Sequence, residues 1–500
     1  MTQRSCGILM HITALPSPYG IGTFGKEAER FADWLKAAGQ TYWQVLPIGP
    51  TGYGDSPYQP FSSFAGNPLM IDLDELVENG WLTREQCMSA DFGADPSYVD
   101  FDKVAQTRKE LLHEAFKSFT DDVGYTSFVL KEAEWLDDYA LFTALKDKFG
   151  GRPWTQWDDD IKMRLPDAME RYTEELKDEI HCIKFTQYLF FRQWDRFHRY
   201  CNKNGIKIIG DIPIYVSPDC ADVWAQPELF ELDERRNPRR VAGVPPDYFS
   251  KTGQLWGNPL YDWVEMKRTG YEWWIRRVRK SAEYYDMLRI DHFRAFDTYY
   301  AIPFGSATAE KGTWEHGPGM DLFNAIRAEL GEVNIIAEDL GDIFDSVKKL
   351  LSDSGFPGMR VLQFGFNSEN ADNDHLPHRY PENCVAYTGT HDNATVVQWY
   401  READGASRAM AKRYLNKGLF EKVQGCFIRG VYASPAALAI VPMQDVLGLG
   451  AQARMNVPST LGGNWKWRMK QGATTDACAA RLHELADTYF RLPVQEKQDK

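Results

Sequence analysis

The chain has 500 residues, of which 43% are hydrophobic and 26% charged, and a formal net charge of −14. That length buries a large core without disulfide or metal staples, and the acidic balance excludes nucleic acid and anionic membrane as partners, because both require a basic face. No apolar run reaches the ~18 residues of a membrane span, and Met1–Leu15 lacks the length and small-residue cleavage site of a signal peptide, so the expected location is the cytoplasm.

The first motif in chain order is Gly20-Ile21-Gly22-Thr23-Phe24-Gly25, followed by a helical pattern over Lys26–Ala38. It matches the dinucleotide-binding G-x-G-x-x-G. That mechanism needs the first Gly to turn the chain directly off a strand, so that pyrophosphate meets the helix N-terminus. Pro16 and Pro18 stand just before the motif, where no simple ladder strand can run. The next strand, Tyr42–Ile48, ends in Pro47-Ile48-Gly49-Pro50 and supplies no acidic residue for a ribose. A plain Gly turn is the better reading, and no nicotinamide cofactor is expected.

Further short apolar runs end in polar or acidic residues: Ile206–Val216, Met287–Phe293, Val333–Leu340, Met359–Phe366, Cys384–His391 and Ala439–Val446. Helical patterns lie between many of them, Tyr271–Tyr285 among them. The alternation predicts parallel β/α architecture, and Ile208-Ile209 and Ile335-Ile336 fit strands covered on both faces.

Two stretches interrupt the alternation. Residues 74–200, approximately, read as mainly helical, with Trp135, Tyr139, Phe142, Leu145 and Phe149 on one period and Ile183, Phe190, Trp194, Phe197 and Cys201 on another. Residues 228–263 are rich in Pro, Gly and aromatics without a sustained period. The expectation is an α/β chain whose residues 1–500 form a single TIM-type (β/α)8 barrel with a largely helical insertion and an irregular one. The eight cysteines are scattered and form no CxxC pair, so neither a zinc site nor a redox motif is expected.

Three acidic residues close candidate strands: Asp291 after Met287–Ile290, Glu338 after Ile335–Ala337, and Asp392 after Tyr387–His391. Consecutive members lie roughly fifty residues apart, so a barrel would gather them on its C-terminal rim. Glycoside cleavage asks for such a set: one carboxylic acid protonates the leaving oxygen and one carboxylate attacks the anomeric carbon, about 5 Å apart when configuration is retained. A third carboxylate can hold the ring hydroxyls in the distorted geometry. Arg289 lies on the same strand face as Asp291 and would keep it ionised. Glu338 would need a raised pKa to act as the acid. A lone Asp at a strand end is more often a cap or turn residue, and Asp297, Asp339 and Asp342 are read that way.

At these residues the sequence resembles the amylomaltase family, the 4-α-glucanotransferases or disproportionating enzymes related to the wider α-amylase group. The resemblance runs along essentially the whole chain. It includes Leu15–Gly22, Gln44–Pro50 (taken as the first barrel strand), Asp55–Gln59, Gly210–Val216, Arg289–Phe293, Ala337–Gly341, Gly389–Asn393, Gln444–Leu449 and Asn464-Trp465. It implies Asp291 as nucleophile, Glu338 as general acid/base and Asp392 as transition-state stabiliser. It places Tyr58, Asp211, Arg289 and His391 around the reacting sugar. It makes Asp247–Trp256, with Asp247, Gln254 and Trp256, a loop over the cleft, and Tyr53 part of an accessory glucan site. The implied substrates are maltooligosaccharides and larger α-glucans, with glucose or glucan as acceptor and no cofactor or metal.

The residues alone leave rivals open. An α-1,4-glucan hydrolase would use the same barrel and carboxylates with water as acceptor; only the resemblance favours transfer. A non-catalytic glucan-binding protein would not need the full acid, nucleophile and stabiliser set. A nicotinamide oxidoreductase rests on Gly20–Gly25 alone.

Overall fold

The computed structural model describes residues 4–246, 251–341, 343–366 and 372–493. Eight parallel strands close into a barrel: β1 (Ser5–Leu9), β2 (Tyr42–Gln44), β3 (Lys207–Ile212), β6 (Met287–Ile290), β9 (Ile335–Ala337), β10 (Gly358–Val361), β11 (Cys384–Tyr387) and β12 (Leu438–Pro442). They pair in chain order, and β12 returns to β1 with Ser5 opposite Leu438. This is a (β/α)8 barrel. Its strands are buried along almost their whole length, which is why they read as continuous apolar runs.

The first barrel strand is Ser5–Leu9, and the run beginning at Tyr42 is the second. Five residues with Gly7 at their centre carry little strand signal, and the segment reads as a short apolar patch. Gly7 is needed there: a Cβ would stand 2.4 Å from the Tyr42 carbonyl oxygen of the neighbouring strand.

Two excursions shape the mouth of the barrel. Between β2 and β3 the chain runs through a series of helices that includes Phe101–Ser118, Val123–Lys148 and Lys177–Lys203. The last lays Trp194 and Phe197 against Phe24, and Phe197 meets Trp43 of β2 edge to face at 5.5 Å. Trp194 is fully buried, and its truncation to Ala would cost about 3–5 kcal/mol. The second excursion is a four-stranded antiparallel sheet in the order β5 (Gln254–Pro259), β4 (Arg240–Val244), β7 (Thr298–Pro303), β8 (Thr313–His316). Strands β4 and β5 lie inside the stretch that shows no sequence period. Gly243 sits where a Cβ would meet the Gln254 carbonyl at 2.3 Å, and β5 is only partly covered, so alternation is lost.

Gly20–Gly25 forms a turn packed against protein. A Cβ on Gly22 would strike the Ile12 carbonyl, and one on Gly25 would strike the Asp72 carboxylate, which occupies the space before the helix Lys26–Ala37. No helix among the described residues is long and apolar enough to cross a membrane.

Candidate active site

A cleft of about 1450 Å³ opens at the C-terminal ends of the barrel strands, larger than the roughly 300–1,000 Å³ that serves a single small molecule. Asp291, Glu338 and Asp392 all line it. Asp291 directly follows β6, Glu338 directly follows β9, and Asp392 stands on the turn after β11. Parallel strands of one barrel thus bring together three carboxylates that are distant in sequence.

Behind Asp291 lies a charged relay. Arg289 donates from Nη1 to both carboxylate oxygens of Asp211, at 2.8 and 2.7 Å, and from Nη2 to Asp291 Oδ1 at 2.9 Å. The Asp211 side chain is 0% exposed and Arg289 4%, whereas Asp291 is 30% exposed. Asp291 therefore faces the cleft, while Asp211 and Arg289 reach it through their neighbours. Burial would lower the Arg289 guanidinium, yet Asp211 and Asp291 raise it well above its ordinary value. Burial pushes the Asp211 carboxyl up to about 7 against the pull of Arg289; the two short contacts are those of an ionised pair. Tyr58 donates to Asp211 Oδ2 at 2.8 Å and completes its shell.

Glu338 is held differently. Its carboxylate accepts backbone N–H bonds from His292 at 2.7 Å and from Leu340 at 2.9 Å. His292 adopts the left-handed region, with φ 50°, as the chain turns off β6, a conformation His tolerates better than most residues. Burial, then the charge of Asp291, push Glu338 up to about 7, against Arg289 and the two N–H groups. Two neighbouring carboxyls thus differ in environment: one is paired with a cation, the other buried and inclined to hold its proton.

Asp392 is the most open of the three, its side chain 44% exposed. Asn456 donates to its Oδ1 at 2.6 Å, and Arg454 donates to its backbone carbonyl at 2.8 Å. His391 is buried, lies 3.4 Å from Asp392, and stacks on Tyr58 at 5.1 Å between ring centroids. Burial lowers the His391 pKa, so the ring is neutral near pH 7. Trp465 leans on both rings, at 5.8 and 5.9 Å, and its own φ is 66°.

On another wall, Trp256 donates from Nε1 to Gln254 Oε1 at 3.2 Å and meets His292 edge to face at 4.9 Å. Gln254 and Trp256 both line the cleft. Asp247, with Tyr248 to Ser250, lies outside the described residues, as do Asp342 and the side chain of Tyr53. Asp339 points away from the cleft: it accepts from the Met359 N–H at 2.6 Å and from Arg360 at 2.9 Å, joining β9 to β10. Asp297 accepts from Ser346 at 2.7 Å. Among the described residues no three His, Cys, Asp or Glu side chains come together as metal ligands would.

Sequence reasoning misses Arg454, Asn456, His292 and Trp465 as site residues. Asn464-Trp465 belongs to the fragments that carry the resemblance, and that was the available signal. Nothing in the local pattern of Arg454–Asn456 announces it.

Known proteins resemble this chain along nearly its whole length. The profile of the family described as 4-alpha-glucanotransferase matches residues 10–474. The chain is 49% identical over 497 residues to a 4-alpha-glucanotransferase of Streptococcus pneumoniae, covering 98% of each. It is 46% identical over 502 residues to that of Thermus thermophilus, covering 98% of this chain and 99% of the other. An amylomaltase from Streptococcus agalactiae, solved in complex with acarbose, superposes with a TM-score of 0.96 at 41% identity, covering 98% of this chain and all of that one. A chain matched along nearly its full length by family, sequence and structure belongs to the 4-alpha-glucanotransferase family.

Proposed function

We propose that this 4-α-glucanotransferase works by a retaining double displacement carried by Asp291 and Glu338, with Asp392 as stabiliser. The observation that supports it is the contrast between the two carboxyls at the barrel mouth: Arg289 pairs with Asp291 at 2.9 Å, while burial and Asp291 raise Glu338 to about 7. Asp291 attacks C1 of a bound α-1,4-glucan as Glu338 gives its proton to the departing 4-oxygen. A glycosyl ester on Asp291 results, and the shortened glucan leaves.

Ester formation removes the negative charge of Asp291, which is one of the two causes raising Glu338. Glu338 then becomes more acidic, holds its charge, and takes the proton of an acceptor 4-hydroxyl. That hydroxyl attacks C1, releases Asp291 and restores an α-1,4 bond; two inversions return the α configuration. Asp392, fixed by Asn456, is placed to hold hydroxyls of the distorted ring. Glucose or another α-glucan serves as acceptor, and maltooligosaccharides serve as donors. All eight cysteines are free thiols and seven are buried, which suits a reducing cytoplasm.

Incubation with maltotriose tests this reading. Glucose and a ladder of longer maltooligosaccharides should form while the number of reducing ends stays constant, and nuclear magnetic resonance should show only α-1,4 bonds. Shorter products with rising reducing ends would make water the acceptor and overturn the transfer step.

A further inference from the structure

A second, small cavity lies where three neighbouring barrel strands, β1, β12 and β11, end. His11 follows β1, Asp445 stands on the helix Met443–Leu447 that follows β12, and Thr390 and His391 follow β11. All four line the cavity, and His391 lines the cleft as well. About 20 Å³ of it is open to the centre of a water molecule. His11 is 5% exposed, and among the described residues no protein group bonds its Nδ1. Burial, then the charge of His391, push the His11 pKa down to about 3. The ring is therefore neutral, with one N–H and one lone-pair nitrogen, and Nδ1 needs a partner whichever of the two it is.

We infer that this cavity holds one ordered water bonded to His11 Nδ1, and that through this water His11 positions His391 at the edge of the active site. The positioning role rests on the function proposed above, because His391 lies 3.4 Å from Asp392, the proposed stabiliser. Three observations carry the inference. First, the volume suits one water, for which about 10–15 Å³ of such space is enough. Second, the lining offers the two to four polar partners that a buried water takes. Besides His11 there is Asp445, whose two oxygens accept one bond each, from Thr388 and from the Val396 N–H, both at 2.7 Å. Its carboxylate keeps lone pairs for a water. Third, the His391 ring is held by other rings: Tyr58 stacks on it and Trp465 leans on it. Such contacts fix the plane of a ring more than its rotation within that plane. A water-mediated hydrogen bond supplies the missing restraint. His11 is thus a positioning residue and touches no reacting atom.

The test begins with a crystal structure of the unsubstituted enzyme at a resolution that shows waters. One water should lie within about 3.2 Å of His11 Nδ1, and an empty cavity there would overturn the site. This part needs no variant, so it decides whether or not a substitution folds. Kinetics on maltotriose then compare His11→Leu with His11→Asn, with thermal unfolding as a folding control. His11→Leu removes the anchor of the water and should lower kcat about tenfold, with KM changed by less, the mark of a group displaced from its working position. His11→Asn keeps a polar atom near the place of Nδ1 and should recover most of that loss. Equal losses of kcat in both variants, or no loss in either, would overturn the positioning role. Full activity in Asp392→Asn would instead overturn the stabiliser in the proposed function, so the two failures are distinct.

Discussion

Asn456 donates its side-chain amide to Asp392 Oδ1 at 2.6 Å from a segment 64 residues further along the chain. Its backbone N–H also bonds the His391 carbonyl at 3.1 Å, and Arg454 grips both the Asp392 and the Asn456 carbonyls. Asp392 is thereby oriented by a loop that itself lines the cleft. Its side chain stays 44% exposed and lines the cleft.

Asn456→Ala removes that restraint without touching a reacting atom. The expected result is a fall in kcat of about a hundredfold, the cost of a misplaced catalytic group, with KM for maltotriose changed by less. Steady-state kinetics with a thermal-unfolding control checks it. An equal rise in KM with kcat intact would mean that Asn456 serves ground-state binding instead.

How far the site was legible in the sequence follows from which contacts are local. Asp291, Glu338 and Asp392 stand out because each ends an apolar run, and a parallel barrel places run ends on one rim. Arg289 follows from strand alternation, and its bond to Asp291 matches the expectation. Asn456, Arg454 and the N–H of His292 act across long loops or from an uncommon backbone conformation, and no periodicity encodes either. The strand Ser5–Leu9 and the sheet strands β4 and β5 escape for a related reason. They are short, they carry Gly at close backbone approaches, and their partners are distant in sequence.

The raised Glu338 has two pH consequences of definite sign. In the proposed mechanism the first transfer step needs the protonated acid, so kcat/KM for maltooligosaccharides should fall as pH rises through about 7. Stability moves in the same direction. The folded-state value lies above the ordinary 4.5, so the folded protein binds the extra proton between those values and loses that advantage as pH rises. Glu338→Gln removes the titration. Its stability relative to the unsubstituted enzyme should therefore improve by about 2 kcal/mol between pH 5 and pH 8, as measured by denaturant unfolding at each pH. A pH-independent difference would place the high pKa elsewhere, with Asp211 the first alternative.

The same variant separates the two carboxylates. A glycosyl fluoride donor needs no proton for its leaving group, so Glu338→Gln should still form the ester at Asp291. Without a base it should then discharge slowly to an acceptor hydroxyl. The covalent sugar should accumulate and be found by mass spectrometry on the peptide that contains Asp291, and it should be absent after Asp291→Asn. A sugar mapped to Asp392 instead would reassign the nucleophile.

In the proposed mechanism Trp256 bears on a different property, the competition between sugar and water for the intermediate. Its ring packs edge to face on His292, whose backbone N–H holds Glu338, and its indole N–H is bonded to Gln254. In the proposed mechanism such a face in the cleft would hinder water on its path to C1 and would offer an acceptor sugar a stacking surface. Trp256→Ala opens that path. The ratio of hydrolysis to transfer should rise several-fold, read as new reducing ends against labelled glucose incorporated into longer glucans. Were Trp256 only a packing residue, both rates would fall together and the ratio would stay fixed. The ratio is the informative quantity because, in the proposed mechanism, hydrolysis and transfer share the glycosyl ester and differ only in the nucleophile that resolves it.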